Sequence, residues 1–338
     1  MTLYLGVDAG SSKTRAAVAD ASGRVLASAT GGFGSVEGPD GIDGGVAEIA
    51  RTVSAALAAC ALGPADVRAA CYAVAGNDGP ADDREIRAGL ARAALPATAE
   101  AARLVSVNDG YAALRAGLRR PWGVVSAAGT GTVVVGRGPD GRIVQVGGIG
   151  ALSGDAGGGV HLGWLAVQAV MMAEQGALAP TSLRAAVAEL FGTDDLLGLV
   201  RAGVEGPRTR LAALAPAVHR AAAAGDLAAQ AILVRTGRHL GRMATGAIAR
   251  LDLLRSDVEV VLAGGTYRGE SPLMADAATL EVHRRAPRAD VHRALREPVA
   301  GALILAREAD VGDVDSGFLA ALAEALPEPP SLAPSPPA

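Results

Sequence analysis

The stretch LYLGVDAGSSKTRAAVADASGRVLASAT, Leu3 to Thr30, decides the reading of this chain. LYLGVDAG is an apolar, strand-like run that ends in glycine. SSKT turns the chain, TRAAVADA is a second run, Ser22 and Gly23 turn it again, and RVLASAT is a third. The pattern returns from Trp122. GVVSAAGTG runs into a glycine-bounded turn, TVVVGRG follows, Pro139 to Gly141 turn the chain, and RIVQVGG closes the second copy. DASGRVLA and GPDGRIVQ hold equivalent places. Two three-strand meanders, each opening on a glycine-rich turn, predict two related lobes.

Between the copies, IDGGVAEIARTVSAALAACALG has apolar residues at helical spacing and ends in glycine. RAACYAVAG reads as a strand entering a glycine turn. DDREIRAGLARAAL is a helix with acids in its first turn, where the helix dipole favours them. RLVSVNDG is a strand ending at Asn108 and Asp109, and YAALRAGL opens a helix behind it. Strands alternating with helices predict α/β layers with parallel crossovers. The second half reads as mostly helical from Val160 to about Leu254. VEVVLAGG is another buried strand, and EPVAGALILAREA is a helix with Pro298 near its start. The expected organisation is an N-terminal lobe over residues 1–118 and a C-terminal lobe with a helical insertion over 119–325. The last helix, about 298–308, is expected to pack back toward the first lobe. The proline-rich tail, 326–338, is expected to be disordered.

Half of the 338 residues are apolar, aromatics are scarce and the net charge is −4. A sizeable aliphatic core follows, and a nucleic-acid partner, which wants a concentrated basic face, is disfavoured. Cys60 and Cys71 form no CxxC pair, and two thiols cannot ligate a four-cysteine cluster. Reduced thiols, no secretory leader pattern and no apolar run of membrane-spanning length lead to an expected cytoplasmic location without a membrane partner.

Five segments carry chemistry. In GVDAGSSKT, a carboxylate, Asp8, ends a buried strand before a tight turn of Gly10, Ser11 and Ser12. Such a turn can aim backbone N–H groups and hydroxyls at phosphate oxygens, and Asp8 can hold a hydrated magnesium ion. A plain β-hairpin fits the same residues. Lys13 is the only lysine of the chain. SAAGTGT places Gly129, Thr130, Gly131 and Thr132 at the equivalent turn of the second copy, and the pair says more than either turn alone. In VNDG, Asp109 stands at a strand's C-terminal end, where open α/β sheets bind ligands. It can accept a proton from an attacking hydroxyl, or it can simply cap the following helix. GGIGALSGDAGGGVHLG, Gly147 to Gly163, implies close backbone approach to a ligand or another strand, with Asp155 its only acid. In LAGGTYRGESPL, Gly264 and Gly265 leave room for a flat base beside the backbone, or form an ordinary strand-to-helix turn.

Taken in order, these segments resemble the BadF/BadG/BcrA/BcrD-type ATPases, and among them most closely the N-acetylglucosamine kinases, from about Leu3 to Ala306. The resemblance implies an actin-like (ribonuclease H-like) α/β fold with two lobes around a nucleotide cleft. It also implies ATP and Mg2+ as cofactors and an amino sugar, N-acetylglucosamine first, as the phosphate acceptor at its 6-hydroxyl. Carried over by position, it makes Asp109 the general base. Asp8, through water, and Gly10, Ser11, Ser12, Lys13 and Thr14 would handle magnesium and the outer phosphates. Gly129 to Thr132 would complete the phosphate site, and Gly264 and Gly265 would contact adenosine. The sugar side would be Gly76, Asn77, Asp78 and Asn108 in the first lobe and Gln145 and Asp155 in the second. Two positions depart from the family pattern. Val36 stands where an asparagine is usual, which leaves Ser35 or Asn77 to supply that contact, and Ala156 replaces the glutamate of a GDEGS-type segment. Both leave the ATPase reading intact and widen the sugar choice to glucosamine or another hexose.

Other readings stay open at this stage. One is an ATPase of the same family that does not act on a sugar, although the cysteines do not match the cluster-bearing activators. Another is a non-catalytic sugar sensor, for which the sequence shows no DNA-binding segment and no CxCGxxGC signature. Small molecules are the expected partners, and a homodimer is compatible with everything above.

Overall fold

The computed structural model describes residues 1–196, Gly198 and 208–328; the tail from 329 on lies outside the described residues. The chain divides into two compact units. One comprises Met1–Val125 and Arg293–Glu328, the other Ser126–His292.

The first unit is built on a five-stranded sheet of order β3-β2-β1-β4-β5, with β1 Leu3–Ala9, β2 Thr14–Asp20, β3 Val25–Gly31, β4 Ala69–Val74 and β5 Leu104–Val107. The opening meander is antiparallel, Asp8 facing Arg15 across β1 and β2, and β4 joins β1 in parallel. The parallel pairing requires the helical crossover α1, Gly41–Ala59. Helix α2, Pro80–Arg92, lies between β4 and β5, and α3, Asp109–Gly117, follows β5.

Side chains alternate across the strands, so each face buries its own set. Leu5, Val7, Val18, Tyr72 and Val74 pack against Ile49 and Val53 of α1 and Ile86 and Leu90 of α2. Tyr4, Ala17, Cys71 and Ala73 face the returning chain: Val299, Leu303 and Ile304 of α9 (Pro298–Val311), then Phe318 and Leu322 of α10 (Ser316–Ala325). Each fully buried leucine or isoleucine contributes about 1.5–3 kcal/mol relative to exposure. The small residues of this second face let α9 come close. A Cβ on Gly6 would lie 2.6 Å from the Leu303 nitrogen, and one on Gly301 would lie 1.9 Å from the Ala112 oxygen of α3. Helix α9 therefore fixes the end of β1 and the start of α3 at once.

The second unit repeats the sheet. Its order, read from the meander outward, is β8-β7-β6-β9-β10, with β6 Gly123–Ala128, β7 Thr132–Arg137, β8 Ile143–Gly147, β9 Glu259–Ala263 and β10 Asp290–Arg293. The two meanders read from the sequence are present, in the same places in both sheets. The helices of this unit are α4 Gly159–Glu174, α5 Leu183–Phe191, α6 Ala215–Ala223, α7 Leu227–Arg250 and α8 Leu273–Arg285. They share one aliphatic core around Leu162, Val170, Leu211, Val218, Leu233 and Leu240. Among the described residues no helix is long and apolar enough to cross a membrane.

Candidate active site

Asp8 ends β1 on the face covered by α9. The turn behind it is closed by the Gly10 amide donating to the Lys13 oxygen at 3.0 Å, and Gly34 donates to the Gly10 oxygen at 3.2 Å. Ser12 and Lys13 are exposed, Ser11 half-buried. Thr14 faces inward: it is fully buried, and its hydroxyl donates to the Gly32 oxygen at 2.9 Å. Burial raises the Asp8 carboxyl first, and Asp109 raises it next; Lys13 opposes them and Glu297 and Glu328 add to them, so that it is pushed up to about 7. Glu297 precedes α9 and pairs with Arg15, the cross-strand neighbour of Asp8, at 3.0 Å. Sequence reasoning passed over both residues. Nothing local could have joined positions so far apart in the chain.

Asn108 and Asp109 compete, in sequence, for the role of helix cap. The structure gives the cap to Asn108, whose Oδ1 accepts from the Gly110 amide at 2.8 Å. Asp109 is the first residue of α3, half-buried, with its carboxyl pushed up to about 6. Burial is the main cause and the carboxylates of Asp78 and Glu37 add to it, while the Gly110 and Asp109 N–H groups pull the other way. The other amide arm of Asn108 donates to Asp78 Oδ1 at 2.8 Å. One asparagine thus fixes the helix that carries Asp109 and the loop that carries Asp78.

Asn77, buried, donates to Ser106 Oγ at 3.2 Å. Gly76 has φ +88, and a Cβ there would lie 2.8 Å from Val36 Cγ2. Val36 is packed against the core of this unit rather than presented as a bare substitute for asparagine. Ser35, 1% exposed, donates to the Ala75 oxygen at 3.1 Å and accepts from the Glu37 amide at 3.2 Å. Its hydroxyl is engaged on both sides in holding the loop 34–37 to the end of β4.

In the second unit the turn Gly129–Gly131 closes on itself at 3.0 Å. The first amides of α4 hold it: Gly159 donates to the Gly129 oxygen at 2.7 Å and Val160 to the Thr130 oxygen at 3.2 Å. A Cβ on Gly129 or Gly131 would meet nothing within 4 Å, so this turn has an open side. Thr132 Oγ1 is buried without a partner among the described residues. Gly264, at φ +95, runs against the end of β6; a Cβ would lie 2.4 Å from the Ala128 oxygen, which also accepts from Thr266 Oγ1 at 2.7 Å. Gly265, half-buried, opens the short helical turn that follows. Gln145 Nε2 donates to the Gly147 oxygen at 3.2 Å. Asp155 accepts from the Gly148 amide at 3.0 Å and the Gly150 amide at 2.7 Å.

Each unit thus brings its own predicted residues together. Asp8, Lys13, Asp78, Asn108 and Asp109 gather at one end of the first sheet. Gly129 to Thr132, Gly264, Gly265 and the segment 154–159 gather at the equivalent end of the second. Among the described residues no cluster of three or more acidic, histidine or cysteine side chains is arranged to hold a metal. Asp8 nevertheless fits magnesium. It is a hard oxygen donor with a poorly compensated charge, and this ion commonly keeps most of its waters and uses one or two carboxylates plus substrate phosphates.

A family model described as the BadF/BadG/BcrA/BcrD ATPase family matches residues 5–306. The chain is 26% identical over 316 residues to the N-acetylmuramic acid/N-acetylglucosamine kinase of Clostridium acetobutylicum, covering 91% of this chain and 99% of that one. It is 25% identical over 316 residues to the N-acetyl-D-glucosamine kinase of Dictyostelium discoideum, covering 90% and 97%. A solved structure from Chromobacterium violaceum, described as a candidate N-acetylglucosamine kinase, superposes with a TM-score of 0.70 at 27% identity, covering 90% and 99%. For the fold alone, a ROK family glucokinase from Streptomyces griseus, solved with glucose and AMPPNP, gives 0.56 at 22% identity, covering 90% and 99%.

Proposed function

We propose a sugar-kinase function from one premise: the chain belongs to the BadF/BadG/BcrA/BcrD ATPase family. It is an ATP-dependent phosphotransferase with an alcohol acceptor, of the N-acetylglucosamine kinase type. The observation that carries the chemistry is the carboxylate of Asp109. It begins a helix without serving as its cap, and its surroundings raise it to about 6. A base works best with a pKa near the operating pH, and such a group is largely ionised at neutral pH while still able to take a proton.

Asp109 accepts the proton of the sugar hydroxyl as that oxygen attacks the γ-phosphorus. The bond from phosphorus to the β,γ-bridging oxygen breaks, and ADP leaves with that electron pair. Magnesium, when bound, neutralises charge on the phosphates; Asp8 would hold it through water. The turn Gly10–Lys13 and the turn Gly129–Gly131 offer backbone amides and hydroxyls to phosphate oxygens. Gly264, pressed against the end of β6, and Gly265, half-buried, form the turn that would contact the adenosine. Asn77, Asp78 and Asn108 in one unit and Gln145 in the other are the sugar-side groups. Thr14 and Ser35, turned inward, support these loops from behind, and Asp155, which also ties its own loop together, stands with Gln145 on the sugar side. A cytoplasmic location accords with the free thiols of Cys60 and Cys71.

The test is ADP release with Mg-ATP, with and without a panel of N-acetylglucosamine, N-acetylmuramic acid, glucosamine and glucose. Release stimulated at least tenfold by an N-acetylated sugar is expected. Release that no sugar stimulates would move the chain to the ATPases of the family that act on other partners.

A further inference from the structure

Arg15 lies near the start of β2, with Asp8 opposite it on β1 and Thr30 opposite it on β3. Residues paired in this way share a face and have Cβ atoms about 4.5–5.5 Å apart, so a guanidinium at 15 can reach a carboxylate at 8 with no movement of the backbone. Elementary electrostatics would pair the two. The structure pairs Arg15 elsewhere. Its Nη2 lies 3.0 Å from Glu297 Oε2, with 21% and 14% of the two side chains exposed. Arg15 Nε is buried and has no hydrogen-bond partner among the described residues. The cation that acts most on Asp8 is Lys13.

Glu297 is held in place for this contact. It stands directly before Pro298, where an acidic side chain could cap α9, yet it makes no side-chain cap hydrogen bond. Its backbone is clasped by the end of the described chain. The Glu297 amide donates to the Leu326 oxygen at 3.0 Å, the Glu328 amide donates to the Leu295 oxygen at 3.2 Å, and Arg296 and Pro327 form the bridge between them. Arg296, 6% exposed, donates through Nη1 to the Ala116 oxygen at 2.7 Å and through Nε to the Leu319 oxygen at 3.2 Å. All of these residues belong to the first unit. A carboxylate paired with arginine has its oxygens engaged and its charge offset, and magnesium needs a carboxylate in neither condition.

Resting on the kinase reading above and the magnesium role it gives Asp8, we propose that Glu297 is a positioning residue: it holds Arg15 at the start of α9 and so keeps the guanidinium off Asp8, which stays available to the metal. The clasp of residues 326–328 on 295–297 sets where Glu297 stands. Removing Glu297 then costs more than one ion pair, because it releases a cation onto the metal site.

Two measurements on the full chain test this. The first is urea unfolding in EDTA at neutral pH, with Asp8→Asn introduced into wild type, Glu297→Met and Arg15→Met/Glu297→Met. Asp8→Asn should raise the urea midpoint in wild type. It should fail to raise it, or lower it, in Glu297→Met, where Arg15 has moved onto Asp8, and raise it again in the double background, where no guanidinium is left to move. Replacing both members of a partly buried ion pair by apolar residues is often neutral or stabilising, so the double background should fold. An equal rise in wild type and Glu297→Met overturns the proposal, since Arg15 then settles away from Asp8. A rise that stays lost in the double background also overturns it, since the charge of Glu297 itself is then the cause. The second measurement is binding of Mn2+, as a paramagnetic probe of the magnesium site, to the protein with ADP, followed by electron paramagnetic resonance. The Mn2+ Kd should rise about fivefold or more in Glu297→Met, the scale of one partly exposed ion pair, and return to within about twofold of wild type in the double variant. An unchanged Kd in Glu297→Met, or a weakened one that the double variant does not restore, overturns the proposal. If wild type with ADP binds no Mn2+, the magnesium role of Asp8 fails, and the kinase chemistry with it. The urea arm still decides whether Glu297 keeps Arg15 off Asp8.

Discussion

Asp8→Asn should make the metal-free protein more stable at neutral pH, and the gain should vanish in acid. The reason is the raised carboxyl. Its ordinary value is 3.8, and in the fold it is pushed up to about 7, chiefly by burial and then by the neighbouring charge of Asp109. The sign follows from linkage. A group whose folded pKa lies above its unfolded one binds more protons in the folded state, so its contribution to stability is fully present below 3.8 and is lost as pH rises through about 7. A tenfold change in proton affinity is worth about 1.4 kcal/mol, so a carboxyl raised this far gives at most about 4 kcal/mol. Asp8 keeps some contact with solvent, which lowers the expectation to about 2–4 kcal/mol. The variant and wild type should be equally stable near pH 3.5, diverge between about pH 4 and 7, and run parallel above. Because Asp8 and Asp109 are coupled, the midpoint of the divergence belongs to the pair. Urea unfolding in EDTA is the assay. Trp122 lies in the first unit and Trp164 in the second, so a Trp164→Phe background leaves one fluorophore reporting on the unit that contains Asp8. If the stability difference is independent of pH across 4–8, the electrostatic account of Asp8 is wrong.

Asp109→Asn should lower kcat about 10²–10⁴-fold with sugar KM within a few-fold, and wild-type kcat/KM should fall below about pH 6, where the base becomes protonated. Kinetics across pH 5–8 check both, and an acid limb unchanged in the variant would assign that limb elsewhere. Asn108→Ala removes a helix cap and the tie to Asp78, so it should cost about 1–2 kcal/mol in urea titrations and reduce kcat as well. Gly301→Ala drives a methyl to 1.9 Å from the Ala112 oxygen. Overpacking of that kind costs about 1–3 kcal/mol, and the backbone it strikes belongs to the helix that carries Asp109, so activity should fall further than global stability explains. Val36→Asn, which the sequence alone would predict to tighten N-acetylglucosamine binding, should instead lower stability by about 1–3 kcal/mol, because Val36 packs against the core and an unsatisfied amide there is costly; a lower KM at unchanged stability would restore the sequence-based expectation.

The strands and their turns were legible because their signals are local. Apolar runs of five to eight residues bounded by glycine mark β1, β4, β6 and β9 without any tertiary knowledge. β10, Asp290–Arg293, gave no such signal: it is a short, partly exposed edge strand with charged residues at both ends. Helix α10 also passed unremarked, although its Phe318 and Leu322 complete the core under Tyr4. In the site, residue types were legible and their partners were not. VND holds two residues able to cap a helix, and only coordinates show that Asn108 takes the cap and leaves Asp109 unengaged by it. Thr14 and Ser35 look, in sequence, like hydroxyls for a ligand; the hydrogen bonds to Gly32 and Ala75 turn them inward. Asp155 reads as a sugar contact in sequence, and the amides of its own loop that it also accepts from could not be read there.

The repeat itself shows how the two carboxylates proposed for the chemistry, Asp8 and Asp109, come to lie in one unit. Superposing GVDAGSS on VSAAGTG puts Asp8 opposite Ala127, on equivalent strands of sheets with the same order. β5 leads into Asn108 and Asp109, whereas its counterpart β10 leads into Ala294 and Leu295. The second copy therefore has the glycine turns, for which the phosphate and base roles are proposed above, and has no carboxylate at either position. The charge of Asp109 already raises the Asp8 carboxyl. On the phosphate role proposed for the Gly129–Gly131 turn, carboxylates beside it would add negative charge where negative charge must be bound, at a cost that grows steeply in a partly desolvated site. On this reasoning Ala127→Asp should weaken nucleotide binding while leaving the sugar KM within a few-fold. It should do so more at low magnesium than at high, since added cation offsets the introduced charge. Equilibrium titration with an ATP analogue at two magnesium concentrations measures this. If Ala127→Asp binds nucleotide as tightly as wild type at low magnesium, the asymmetry between the copies has another origin.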